Sequence, residues 1–163
     1  MAVVGPGGPN GDPGGDAEHR DRRNVVVQVA ANPEGLPTLR VVAADLAARA
    51  DFDLDTVADL RLAVDEAASE LVAVAAPGAV LTCVYSLDSA QLEVTSSVPV
   101  RPGATLERNS FGWRVLTTLV DEVRVLEEPG ADGPTLGIST LGISTLGISL
   151  CKRRSGPAPT EGP

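Results

Sequence analysis

Leu62-Ala63-Val64-Asp65-Glu66-Ala67-Ala68-Ser69-Glu70-Leu71-Val72 is the stretch from which the rest of this 163-residue chain is read. Its apolar positions extend in both directions as Leu54, Val57, Leu60, Val64, Ala67, Leu71 and Ala75. Steps of three and four put them on one stripe of a long amphipathic helix. Asp51, Asp53 and Asp55 stand at its beginning, where carboxylates cap free amides and meet the positive end of the helix dipole. Pro77-Gly78 ends it. Glu66 and Glu70, one turn apart, share a face, and a like-charged pair at that spacing costs roughly 0.2–0.5 kcal/mol. On spacing alone the two describe a solvated helix face. Asp65 is expected to pair with Arg61, one turn back.

Upstream, residues 24–31 hold Val25-Val26-Val27 and Val29, a β-branched run that reads as a strand. Asn32-Pro33 and Gly35 interrupt it, and Pro37 suits the first turn of a helix. That helix carries Leu39, Val42, Ala43 and Leu46 and extends to residue 50. Downstream, residues 79–87 alternate Leu81, Cys83, Tyr85 and Leu87 on one face, Asp88-Ser89 turns, and residues 91–97 return with Leu92 and Val94 inward. This is a hairpin. Residues 99–109 read as a polar loop, and a third helix starting near Ser110 carries Val115, Leu116, Leu119 and Val120. Residues 122–127, with Val123 and Val125, read as a short strand, and residues 129–134 as a loop.

Thr-Leu-Gly-Ile-Ser then occurs three times, at 135–139, 140–144 and 145–149. Five is odd and strand faces alternate with period two, so no single face buries all three copies. The third copy continues into Leu150, which makes Leu146, Ile148 and Leu150 the inward row of the last core strand. The earlier copies extend that strand at an edge or loop out. The order strand, helix, helix, strand, strand, helix, strand, strand is α+β: a two-layer sandwich of a mixed, mostly antiparallel sheet with helices on one face. The domain spans residues 24–151. Residues 1–23 and 152–163 are expected to be disordered arms, because Gly-, Pro- and Asp-rich segments bury too little surface to offset the entropy of ordering. Lys152-Arg153-Arg154 ends a strand in water or touches an acidic partner.

Composition narrows the function. Aromatic residues make up only 2% of the chain, so Leu, Val, Ile and Ala fill the core. Residues 24–151 hold 17 acids and 7 bases, a net charge of −10. Phosphate repulsion disfavours direct nucleic-acid binding by such a body, and a basic partner protein suits it better. Two cysteines, Cys83 and Cys151, make neither a disulfide framework nor a metal cluster and are expected as small packing residues. The amino terminus lacks a basic region followed by an apolar run, and no uncharged apolar stretch reaches about 18 residues, so no membrane contact and a cytoplasmic location are expected.

Leu62-Ala63-Val64-Asp65-Glu66-Ala67, followed by a small residue and later Leu71-Val72, resembles the N-box of the GHKL ATPases. More narrowly it resembles the bacterial switch-type serine-kinase anti-sigma factors, whose order of elements matches the one read above. The resemblance covers roughly residues 24–151. It implies that Glu66 stands at the general-base position and Glu70 at that of an asparagine that holds nucleotide-bound magnesium. It further implies that Ser110, Gly112 and Arg114 stand in the second glycine box that receives phosphate, and Arg40 at the partner-binding arginine of the first helix. The cofactors so implied are ATP and Mg²⁺. The partners are a sigma factor and an anti-anti-sigma factor, in a homodimer regulating stress transcription. Three positions depart from the family pattern. Glu70 replaces the asparagine, residues 96–103 lack the adenine-reading aspartate, and Ser110 replaces the first glycine. The first expectation is therefore an anti-sigma factor that acts by contact, and the alternative an active ATP-dependent serine/threonine-protein kinase of the anti-anti-sigma protein. The anti-anti-sigma antagonist itself ranks last, since that class lacks this long helix.

Overall fold

A computed structural model describes residues 22–128 and 144–155. Its elements are strand β1 (Arg23–Ala30), a single 3-10 turn (Pro33–Gly35), helix α1 (Leu36–Arg49), helix α2 (Leu54–Val74), strands β2 (Val80–Leu87) and β3 (Gln91–Val100), helix α3 (Phe111–Leu119), and strands β4 (Glu122–Glu128) and β5 (Ser144–Arg153). The strands form one sheet in the order β1-β2-β3-β5-β4. Every neighbouring pair is antiparallel, so the expected mixed sheet is antiparallel throughout. β4 lies at the edge because β5 returns between it and β3.

Alternation decides which face is covered. Leu81, Cys83 and Tyr85 of β2, Leu92, Val94 and Val98 of β3, and Ile148 and Leu150 of β5 are all buried. They meet Leu60, Val64, Ala67 and Leu71 of α2, the stripe expected from the periodicity, all with 0% exposure. Ala63, Ala67 and Ala68 let α2 lie close on the sheet. Tyr85 is the one tyrosine of the chain, and its buried hydroxyl donates to the Leu39 carbonyl of α1 at 2.8 Å, which meets the need of a buried phenol. The thiols of Cys83 and Cys151 are both buried, and burial pushes their pKa values up, so they pack as neutral small groups.

Local chemistry sets the ends of the helices that frame the site. Asp51, at φ 58°, closes α1 in the left-handed conformation that a helix end commonly takes. Asp53 caps α2, accepting from the Thr56 amide at 2.8 Å. At the other end of α2, the Ala76 amide donates to the Pro99 carbonyl at 2.9 Å. β3 therefore runs through Val100, and the polar loop expected from residue 99 begins later.

The third repeat copy lies in β5, with Leu146, Ile148 and Leu150 inward as expected. Residues 135–143, the first copy and most of the second, lie outside the described residues, as do residues 1–21 and 156–163 of the expected arms. Strand pairing extends past both expected domain bounds, to Arg23 and Arg153. The basic triplet does not simply end in water. Lys152 Nζ donates to the Leu119 carbonyl at 3.0 Å, the Arg153 amide to Asp121 at 2.6 Å, and the Arg154 amide to the Ala90 carbonyl at 2.8 Å.

Candidate functional site between the second and third helices

Ser110 adopts extended backbone and caps α3, its Oγ accepting from the Trp113 amide at 3.0 Å. The same hydroxyl donates to Glu70 Oε1 at 3.3 Å, across from α2. Gly112, in the first turn of α3, is buried against α2. A Cβ on Gly112 would collide with Glu66 Oε1 and Glu70 Oε1, so the two carboxylates share the space that any other residue's side chain would need. Gly112 admits this close approach of the two carboxylate ends, and any side chain there would have to push them aside. Four of the expected site residues, Glu66, Glu70, Ser110 and Gly112, thus meet at one point.

The electrostatics of that point are anionic. Burial, then the charges of Glu70 and Asp65, push the Glu66 carboxyl above its ordinary value. Among the described residues neither Glu66 nor Glu70 forms an ion pair. Partial compensation comes from the amino end of α3, where the dipole is positive.

Arg114 is elsewhere. It lines a shallow hollow of about 230 Å³ with Phe111, Val115, Thr118 and Leu119. Two positions further along α3 than Gly112, it is turned away from the face that meets α2. Arg40 belongs to a different part of the surface, where its Nη1 meets Asp65 Oδ1 at 3.0 Å. Asp65 therefore pairs across the helices and not with Arg61. An acid four residues after a base on one helix is the less favourable orientation of such a pair, and Arg40 offers a partner on the facing helix. No spacing rule could reveal this pair, whose members are 25 residues apart.

A magnesium nucleotide fits these residues poorly as they are arranged. A helix amino end receives phosphate through free amides and positive potential, but here two carboxylates stand against the first turn. Residues 96–103, where an adenine-reading aspartate is expected, hold none, and Ser96 at the start of that stretch is 1% exposed with its Oγ 2.9 Å from Cys83 Sγ inside the core. No group of three or more His, Cys, Asp or Glu side chains able to hold a metal occurs among the described residues. None of their helices is long and apolar enough to cross a membrane.

Comparison with known proteins gives the same fold and a narrower likeness. The histidine kinase-like ATPase domain matches residues 29–138. The anti-sigma-F factor RsbW of Mycobacterium tuberculosis, from strains CDC 1551 / Oshkosh and ATCC 25618 / H37Rv, is 35% identical over 139 residues, covering 82% of this chain and 83% of that protein. A crystal structure of the RsbU and RsbW domains of a Mycobacterium tuberculosis protein aligns with a TM-score of 0.55 at 18% identity, over 83% of this chain and 34% of that one. At that identity the likeness is one of fold.

Proposed function

The chain belongs to the histidine kinase-like ATPase domain family, and from that membership we propose that it is an anti-sigma factor acting by contact. It sequesters an alternative sigma factor in the cytoplasm, as a homodimer, and an anti-anti-sigma protein releases it. The likeness to the named anti-sigma-F factors, over more than four-fifths of both chains, supports the binding role. The observation that carries the mode of action is the pair of carboxylates, Glu66 and Glu70, lodged against the Gly112 turn of α3. Through them the amino end of α3 has its anionic neighbour built in. Binding then has no need of a nucleotide to order α3.

Residue roles follow from this reading. Glu66 stands where a base would act, Ser110 caps and Gly112 admits the carboxylates. Glu70, at the expected magnesium position, supplies negative charge that repels phosphate. Arg114 takes no part at this point. Arg40 is a partner-binding residue.

The test is a calorimetric titration of the full chain with purified alternative sigma factors from its source organism, with and without magnesium and ATP. The expected result is the same affinity for one of them in both conditions, with ATP itself bound weakly or not at all. Glu70→Asn is expected to raise ATP affinity about tenfold or more, since removing one misplaced charge recovers about 1.4 kcal/mol or more. Tight ATP binding by the natural chain, with Glu66-dependent transfer of phosphate to a partner serine, would establish the kinase reading instead.

A further inference from the structure

Thr145-Leu146-Gly147-Ile148-Ser149, the middle of β5, repeats without change the residues at 135–139 and 140–144. β5 lies between β3 and β4, and its side chains meet specific neighbours there. Leu146 and Ile148, 4% and 0% exposed, enter the core opposite Val98 and Ser96. A Cβ on Gly147 would stand 3.0 Å from the Ser96 carbonyl oxygen and 3.3 Å from Leu126 Cβ. Ser149 Oγ donates to Glu93 Oε1 at 3.0 Å. A chain threaded five residues out of step would put Leu141, Gly142, Ile143 and Ser144 in these same places, and Ser139 in that of Ser144. Register is set by which residues a shift turns inward, and this shift turns in the same ones.

Discrimination falls to the carboxyl end of the strand. Out of step, Thr145 would replace Leu150, which is 1% exposed, Leu146 would replace Cys151, which is 4% exposed, and Gly147 would replace Lys152. A hydroxyl would enter the core and a leucine would crowd a space that holds a thiol. The bond from Lys152 Nζ to the Leu119 carbonyl, at the end of α3, would be lost. The backbone bonds of the ladder ask nothing of the side chains and are kept. Residues 129–143 join β4 to β5, and out of step residues 129–138 would do so, a change in length that alters closure entropy little.

We propose that β5 has a further register, five residues out of step, with unchanged packing at the positions of Ser144 to Ser149, and that Leu150, Cys151 and Lys152 select the one described. In the further register these three residues leave the sheet. Cys151 comes into water, and α3, whose first turn carries Ser110 and Gly112, loses its Lys152 tie at the other end. Both β3 and β4 must release β5 before it can re-pair, so the register is chosen as the chain folds and exchanges only through opening of the sheet. The repeat thus gives the fold a second, sparsely held arrangement that reaches the helix of the candidate site.

Leu150→Thr with Lys152→Gly, in the full chain, gives two of the selecting positions the residues that the shift would bring, and Cys151 reports the outcome. Purified chains are unfolded, refolded and treated briefly with a thiol reagent, and the labelled peptides are read by mass spectrometry. Cys83 of β2, 0% exposed, is the internal control for global folding. The natural chain is expected to show label on about one Cys151 in a hundred or fewer, since loss of a core leucine shifts such a balance by about a hundredfold. The double variant brings the registers near parity and is expected to label about a quarter of its Cys151 or more, with Cys83 protected. Adding Leu136→Asn, Ile138→Asn, Leu141→Asn and Ile143→Asn keeps the chain length but spoils every shifted register, and is expected to return the label to the natural level. A label that stays would mean that the strand end merely frays, and no label in the double variant would mean that one register exists; either overturns the proposal. Should the double variant fail to fold, Lys152→Gly alone decides. It is expected to label about tenfold more Cys151 than the natural chain, the worth of one charged hydrogen bond, and to lose that label with the four asparagine substitutions. Label at the natural level in Lys152→Gly, or label that survives those substitutions, overturns the proposal equally.

Discussion

Glu66 is ionisable, crowded by two other carboxyls and partly taken from water, and each of these opposes its charge. The consequence for stability has a definite sign. Its folded pKa lies above the ordinary value of 4.5, so the folded chain holds this proton more tightly than the unfolded chain does. The favourable contribution is complete below the unfolded value and is lost as pH rises through the folded one. At neutral pH the ionised carboxylate therefore opposes folding. Glu66→Gln is expected to raise the melting temperature at pH 7 and to flatten its dependence on pH between 4 and 7, read by circular dichroism. A variant that melts lower at pH 7, with the natural slope kept, would mean that the Glu66 charge is satisfied in the fold. The site was partly legible from spacing, since Glu66 and Glu70 lie one turn apart. Their encounter with Gly112 was not, because it depends on how closely α3 approaches α2.

α3 is short, nine residues, and its amino end has the task of joining two helices. Ser110 does this with one hydroxyl that accepts from Trp113 and donates to Glu70. An isolated helix of this length is marginal in water, so the cap and the packing of Leu116 must hold it. Ser110→Ala is expected to cost about 1 kcal/mol in chemical denaturation, the usual value of a lost serine cap. Part of that cost should vanish in Glu70→Ala, which removes the acceptor of the hydrogen bond the two side chains share, and a double-mutant cycle reads the difference. Additive losses would show that cap and carboxylate act separately. The start of α3 was legible, because serine before an apolar run is a cap signal. The end of β3 was not. Pro99 reads as a loop residue, but its carbonyl is taken by Ala76 from the far end of α2.

The charge of the whole domain bears on how fast a partner arrives. On the proposed reading, the domain's net charge of −10 would draw a basic partner over long range. Raising ionic strength from about 0.05 M to about 0.3 M is expected to slow sigma-factor association by about tenfold, because steering is screened beyond a Debye length. Dissociation should change less, since screening acts chiefly on long-range approach. Stopped-flow mixing reads both rates, and association insensitive to salt would remove the steering role. The arrangement of strands gathers α1, α2 and α3 over one face, and among the described residues Val41, Leu54 and Leu62 are exposed on the outward sides of α1 and α2.

Periodicity alone settled the three helices, the hairpin of β2 and β3, and the third repeat copy as the inward strand, because each depends on residues two to four apart that sort between water and core. The stripe Leu60, Val64, Ala67 and Leu71 is read off the chain for that reason, and its complete burial follows. Pairing over long separations is a different matter. The insertion of β5 between β3 and β4, the Arg40–Asp65 bridge, the carboxylates beside Gly112 and the turning of Arg114 away from them all join or part residues that local rules treat as independent. Each depends on the angle and distance at which whole elements pack, and those are set by the sum of many side-chain contacts, which no single stretch of sequence contains.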